Sequence, residues 1–125
     1  MAPKTHKITV NVEVTLTPQD IDDIMVAALE GGINYWCRKA EVVGKYMGEY
    51  ASDQISRGGA LNLHDAEENK IYELTLEKFL KGVKLYLEEG NHVLVEDGRL
   101  DTGDIDGAAA DCIVQFALFD EVIYG

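Results

Sequence analysis

The chain has 125 residues, 46% of them hydrophobic, and a formal net charge of −12 at pH 7. This length fits one domain, residues 1–125, and this apolar content excludes a globally disordered chain. We expect no membrane partner and a cytoplasmic location, since no long apolar run and no N-terminal secretory signal occur, and the negative charge argues against direct binding to nucleic acid.

The chain begins with a strand and a helix. Alternating apolar and polar residues over 8–16 predict a strand with one buried face. Thr17 and Pro18 predict the start of a helix, because a hydroxyl caps the first turn and proline fits the first helical position. Gly31 and Gly32 predict its end. The apolar stripe of this helix comprises Ile21, Ile24, Met25, Ala28 and Leu29.

The middle of the chain allows two interpretations. Residues 33–43 are rich in aromatic and β-branched side chains, which favours a strand to about Val43. A helix stays open as the alternative, because a second set of residues has helical spacing: Trp36, Ala40, Val43, Met47 and Tyr50. A loop with one helical turn is expected before Gly58 and Gly59.

A hairpin and a second helix follow. Two short runs, 60–64 and 70–74, flank a polar connection of about five residues, which predicts an antiparallel hairpin. Thr75 then predicts the cap of a helix that ends at Gly90. Its apolar face comprises Leu76, Phe79, Leu80, Val83, Tyr86 and Leu87, and its solvent side has the pairs Glu77–Lys81 and Lys84–Glu88.

The last third contains a third helix. A short strand is expected at 93–95, before a turn at 96–98. The run from Gly107 to Phe119 is apolar almost all round, so it predicts the most buried helix, with Asp111 and Gln115 as its main polar members. Residues 122–124 are expected to close the chain as a strand. Together these elements predict an α+β domain, with about three helices packed on a mostly antiparallel or mixed sheet.

The sequence lacks the usual patterns of catalytic and metal sites. In an EF-hand alignment with Gly107 at position 6, positions 1 and 12 would be Thr102 and Ile113, neither of which is a carboxylate. A solvated turn with Asp104 or Asp106 capping the third helix explains this loop better. The histidines lie in separate segments, and the cysteines are expected to be reduced thiols. We therefore expect no enzyme, catalytic residue, metal or cofactor.

The first candidate site is an acidic surface. Residues 88–125 contain ten acidic residues against Arg99 alone, a net charge of −9. Such a field attracts basic proteins, so a protein partner is expected. The alternative is a solvated face that keeps the protein soluble. The candidate partner-binding residues are Asp97, Asp101, Asp104 and Asp106.

The second candidate site lies in the aromatic and basic middle segment. Trp, Tyr and Arg dominate the energetics of interfaces, and Tyr46 and Tyr50 add to this group. The segment would serve a small-molecule or nucleotide-binding protein, which could be a homo-oligomer; the alternative is that its aromatic residues belong to the core. The candidate ligand-binding residues are Tyr35, Trp36, Arg38 and Arg57.

Five segments carry a resemblance: Ala28–Cys37, Gly48–Ser52, Ile55–Gly59, Leu74–Gly82 and Ala110–Phe119. They resemble an uncharacterised family of small hypothetical proteins from phages, prophages and mobile elements of Firmicutes and gut bacteria. The resemblance implies a context rather than an activity, because small acidic proteins of such elements often bind a host protein, some by imitating DNA phosphates. The leading hypothesis is therefore an accessory protein that modulates a host nucleic-acid-handling protein.

Overall fold

The computed structural model describes residue 6 and residues 13–91 and 95–125. Most of the strand predicted at 8–16 lies outside the described residues, as do residues 93 and 94 of the short strand expected before the turn at 96–98.

The first helix, α1, runs from Pro18 to Ala27. The Thr17 hydroxyl accepts a hydrogen bond from the Asp20 N–H at 3.1 Å, and the Asp20 carboxylate accepts one from the Thr17 N–H at 2.8 Å. This reciprocal cap confirms the predicted start. A π-helical turn, Ala28–Gly32, ends the helix at the predicted glycines. Gly32 has no room for a side chain, because a Cβ there would collide with the carbonyl oxygen of Gly107.

The middle segment contains a strand, so the helical alternative is wrong. Strand β1, Cys37–Val42, begins later than predicted because the preceding residues form a turn. In this turn the N–H groups of Trp36 and Cys37 donate to the Ile33 carbonyl at 3.1 and 2.8 Å. A loop then leads into a short 3₁₀ turn, Ala51–Asp53, which confirms the predicted helical turn.

The sheet has three antiparallel strands in the order β1-β2-β3. Strands β2, Leu61–Asp65, and β3, Ile71–Leu74, form the predicted hairpin. Leu63 pairs with Ala40 of β1 on one side and with Tyr72 of β3 on the other.

The second helix, α2, runs from Leu76 to Tyr86, and the Thr75 hydroxyl caps it by accepting a hydrogen bond from the Lys78 N–H at 3.3 Å. Phe79 and Val83 are buried, whereas Leu80 is 42% exposed, so the predicted apolar face was one residue too wide. The predicted Lys84–Glu88 pair is present at 3.9 Å. Lys81 instead contacts Asp120 at 2.6 Å.

A second hairpin follows residue 94. Strands β4, Val95–Glu96, and β5, Arg99–Leu100, are joined by Asp97 and Gly98, whose φ angles of 52° and 73° suit a tight two-residue turn. The Thr15 N–H donates to the Gly98 carbonyl at 2.7 Å. The chain just before α1 is therefore attached to this hairpin.

The third helix, α3, runs from Gly107 to Phe119 and has more buried residues than α1 or α2, as predicted. Asp106 caps it by accepting a hydrogen bond from the Ala109 N–H at 2.9 Å. The helix packs closely against α2, where a Cβ on Gly82 would collide with the Ile113 carbonyl oxygen. The apolar side chains with the least exposure form one core: Ile24, Met25, Ala28, Ile33, Ile55, Leu61, Leu63, Leu74, Phe79, Ala110, Ile113, Val114 and Ala117.

Residues 122–124 form no strand, so that prediction was wrong. The N–H groups of Ile123 and Tyr124 donate to the Gln115 side chain rather than to a neighbouring strand. The architecture is the predicted α+β domain, with three helices, a three-stranded antiparallel sheet and a two-stranded hairpin in the described chain. In the part of the chain that the structure describes, no helix has the length and apolar content needed to cross a membrane.

Candidate functional site

The four aspartates of the predicted partner-binding site are exposed and lie between β4 and α3. Asp97 occupies the β4–β5 turn, Asp101 caps the following 3₁₀ turn, Thr102–Asp104, and Asp104 is the last residue of that turn. The Asp101 carboxylate accepts a hydrogen bond from the Gly103 N–H at 3.0 Å, and Asp106 caps α3. Asp101 and Asp106 thus have a local structural role and still present negative charge to solvent.

Helix α1 adds to this acidic region. The Thr102 hydroxyl donates to the Asp23 carboxylate at 3.2 Å, which places an α1 aspartate beside the loop. The Arg99 guanidinium lies 3.1 Å from the Asp20 carboxylate, whose side chain is only 11% exposed. The one cation of residues 88–125 is therefore engaged by α1. We use the term acidic surface for Asp23, Asp97, Asp101, Asp104 and Asp106.

The four candidate ligand-binding residues are not gathered at one pocket. Trp36 is 3% exposed, and its ring stacks on Tyr124 with centroids 4.9 Å apart and an interplanar angle of 5°. Tyr35 is 54% exposed. Arg38 and Arg57 are exposed, and neither lines the two hollows that contain Tyr35.

Asp111 is the centre of a polar network. Its Oδ1 accepts hydrogen bonds from Trp36 Nε1 at 2.8 Å and Gln115 Nε2 at 2.9 Å, and its Oδ2 accepts one from the Tyr35 hydroxyl at 2.6 Å. Burial and the bond to Asp111 raise the pKa of Tyr35 to about 12. Because three neutral donors satisfy the carboxylate, Asp111 is suited to holding the fold rather than to proton transfer.

The network continues to the end of the chain. Gln115 Oε1 accepts hydrogen bonds from the N–H groups of Ile123 and Tyr124, both at 2.8 Å. The Tyr124 hydroxyl donates to Asp65 Oδ2 at 2.6 Å. This bond, with two backbone N–H donors, holds the pKa of Asp65 below its usual value, and burial raises the pKa of Tyr124. The network therefore joins α3 to β2 and to the last residues of the chain.

Two hollows border Tyr35. One, of about 520 Å³, lies beside Gly31, Gly32 and the first turn of α3. The other, of about 400 Å³, lies beside Tyr124 and the acidic β2–β3 loop. Among the described residues, no group of three histidines, cysteines or acidic residues could hold a metal ion. Cys37 and Cys112 are free thiols, and burial raises the pKa of both, which lowers their reactivity.

Residues 43–50, which we call the aromatic loop, present large apolar side chains to solvent. Its exposed members are Val43 (39%), Tyr46 (58%), Met47 (49%) and Tyr50 (61%). The buried side chain of Gln54, only 1% exposed, holds this loop in place through two hydrogen bonds. Its Oε1 accepts one from the Met47 N–H at 3.0 Å, and its Nε2 donates one to the Lys45 carbonyl at 3.3 Å. Such a fixed apolar loop is typical of interaction surfaces.

The sequence matches no protein-family model, and no curated protein or solved structure matches the chain. Sequence reasoning identified Asp111 and Gln115 as the polar members of α3 but had no signal for their partners. It also missed Asp23, whose contact with Thr102 spans 79 positions.

Proposed function

We propose that this protein is a non-enzymatic binding protein whose acidic surface contacts a basic protein. The observation that carries this proposal is the contact between Arg99 and Asp20 at 3.1 Å. Because this contact uses the one cation of residues 88–125, the exposed carboxylates of the acidic surface have no cation from their own segment to offset them. An uncompensated patch of one sign steers a partner of the opposite sign and selects against other partners.

The proposed partner is a host protein that handles nucleic acid. Such proteins present lysine and arginine side chains to phosphates, and a set of carboxylates can occupy those side chains in place of DNA. The resemblance to small proteins of phages, prophages and mobile elements supports the same context. In this proposal the protein modulates its partner by competing for the nucleic-acid surface.

A second candidate function is binding of a small molecule or nucleotide beside Tyr35. The supporting observation is that this half-exposed ring borders both hollows. Trp36 supports it less, because its ring is covered by Tyr124 and its N–H is bonded to Asp111. A thermal-shift panel of nucleotides and metabolites tests this candidate: a ligand at about 100 times its dissociation constant adds roughly 2.7 kcal/mol of stability.

The main proposal is tested by capture from a nuclease-treated Firmicutes lysate, with elution by duplex DNA. The test variant changes Asp97, Asp101, Asp104 and Asp106 to Asn. Asparagine retains the helix-capping geometry and tolerates a positive φ, so the change removes charge without removing the caps. The matched control removes the same number of charges from exposed residues elsewhere, as Glu67→Gln, Glu68→Gln, Glu73→Gln and Glu77→Gln.

If the acidic surface binds such a partner, the wild type and the control variant should capture proteins that duplex DNA displaces. The asparagine variant should not capture these proteins. Capture that DNA does not displace, or equal capture by the asparagine variant, would contradict the proposal.

A further inference from the structure

Strand β1 is an edge strand of the three-stranded sheet. Among the described residues no strand pairs with its outer side. On the inner side the Val43 N–H donates to the Ala60 carbonyl at 3.0 Å, and Glu41 pairs with Asn62. Because antiparallel ladders use alternate residues, the N–H and C=O groups of Ala40 point outward. These groups can accept another strand.

The charges along this edge are self-complementary. Lys39 and Glu41 flank Ala40, with side chains 54% and 44% exposed, and within one chain their charged groups contact each other at 3.2 Å. If a second β1 runs antiparallel with Ala40 opposite Ala40, each Lys39 faces the Glu41 of the other copy. The Ala40 pair is then the hydrogen-bonded pair, and the two Lys–Glu pairs are of the non-hydrogen-bonded type, in which side chains come closest.

We propose that the partner for this edge is a second copy of the chain, paired through β1 to form a continuous six-stranded antiparallel sheet. A one-residue slip would place Lys39 opposite Ala40 and break both charge pairs, so the charges also fix the register. The register irregularity between Cys37 and Lys39 confines the regular part of the strand to a short stretch. A short edge strand with exposed charges disfavours pairing with unrelated strands, but it can still pair with a strand whose charges are complementary.

The aromatic loop supports the same pairing. It begins where β1 ends, and the proposed register places Val43 opposite Cys37 of the second copy. The loop of each copy then continues toward the segment that precedes β1 in the other copy, where Tyr35 is 54% exposed. Dimerisation would bury the exposed apolar side chains of the loop. Because Gln54 already fixes the loop in one chain, little conformational entropy is lost on association.

This inference does not rest on the proposed function, because β1 and the acidic surface share no residue. Sedimentation velocity over a concentration series tests it with the full chain. The wild type is expected to approach twice the chain mass of 13.8 kDa. Lys39→Glu and Glu41→Lys should each raise the dimer dissociation constant roughly tenfold, because both cross-strand pairs become repulsive.

The double variant Lys39→Glu with Glu41→Lys is the deciding control. It reverses both charges, leaves the net charge unchanged and restores complementary pairs, so the dimer should return. A second variant, Ala40→Pro, removes an outward N–H that a single chain does not need, and it should yield a folded monomer. Circular dichroism checks the fold of each variant. A monomer mass for the wild type at every concentration, or a dimer that the single charge variants leave unchanged, would overturn the proposal.

Discussion

The Trp36 indole N–H donates a hydrogen bond to Oδ1 of Asp111 at 2.8 Å, across 75 positions of sequence. Asp111 is 7% exposed and is held on the central helix. This contact fixes the turn before β1 against α3 and sets the ring on which Tyr124 stacks. The buried carboxylate of Asp111 therefore holds in place the turn that precedes β1, the strand at the proposed dimer interface.

Replacing Asp111 with Ala should lower the free energy of unfolding by about 1–3 kcal/mol, because the Trp36 N–H would be buried without an acceptor. Asp111→Asn keeps an acceptor and should cost less. Urea denaturation followed by the fluorescence of the single tryptophan measures both. The exposed Asp104→Ala is the control and should stay within about 0.5 kcal/mol of the wild type. An Asp111→Ala variant as stable as this control would show that the network contributes little.

The free energy of unfolding should depend on pH in the alkaline range because of Tyr35. Burial and the bond to Asp111 raise the pKa of Tyr35 from 10.0 to about 12, so the folded chain holds the phenol proton more tightly than the unfolded chain does. This contribution is fully present below pH 10.0 and is lost as the pH rises toward 12. The stability difference between wild type and Tyr35→Phe should therefore shrink over this range in urea titrations. A difference that is constant with pH would contradict this assignment.

Gln115→Ala should release the end of the chain. The Gln115 amide is the acceptor for the N–H groups of Ile123 and Tyr124, so its loss leaves both amides open to solvent. Hydrogen exchange should show loss of protection at these two amides, while the amides of α2 keep theirs. Gln19→Ala, on the exposed side of α1, is the control and should leave Ile123 and Tyr124 protected. Unchanged exchange in Gln115→Ala would mean that other contacts hold this segment.

Gly82→Ala should destabilise the protein, although alanine usually stabilises a helix by about 1 kcal/mol relative to glycine. A Cβ at this position would collide with the Ile113 carbonyl and would lie 2.8 Å from the Ala117 side chain. The helices must separate to admit it, at a cost of about 1–3 kcal/mol. Thermal unfolding beside the exposed Glu77→Ala control measures the change. A more stable Gly82→Ala variant would show that α2 and α3 can move apart without loss.

The sequence predicted the features that depend on neighbouring residues. Thr17 and Thr75 cap helices as their local patterns indicated, since a cap needs only its own first turn, and Asp106 is one of the two caps expected for α3. The β2–β3 hairpin and the buried character of α3 followed in the same way.

The features that the sequence did not predict depend on side-chain contacts between different parts of the fold. Residues 122–124 have the composition of a strand, yet the Gln115 side chain takes their N–H groups, which no local pattern reveals. The same holds for the acidic surface. The acidic composition of residues 88–125 is plain in the sequence. The contact of Arg99 with Asp20 spans 79 positions, so only the folded structure reveals it.

The most direct test of the proposed function is the salt dependence of binding to a DNA-displaced partner from the capture experiment. Isothermal titration at increasing salt compares the wild type with the variant in which Asp97, Asp101, Asp104 and Asp106 are Asn. If the acidic surface binds the partner, the wild-type affinity falls steeply with salt, and the variant binds weakly with a shallow dependence. A salt-independent affinity, or the same affinity and slope for both proteins, would contradict the proposal.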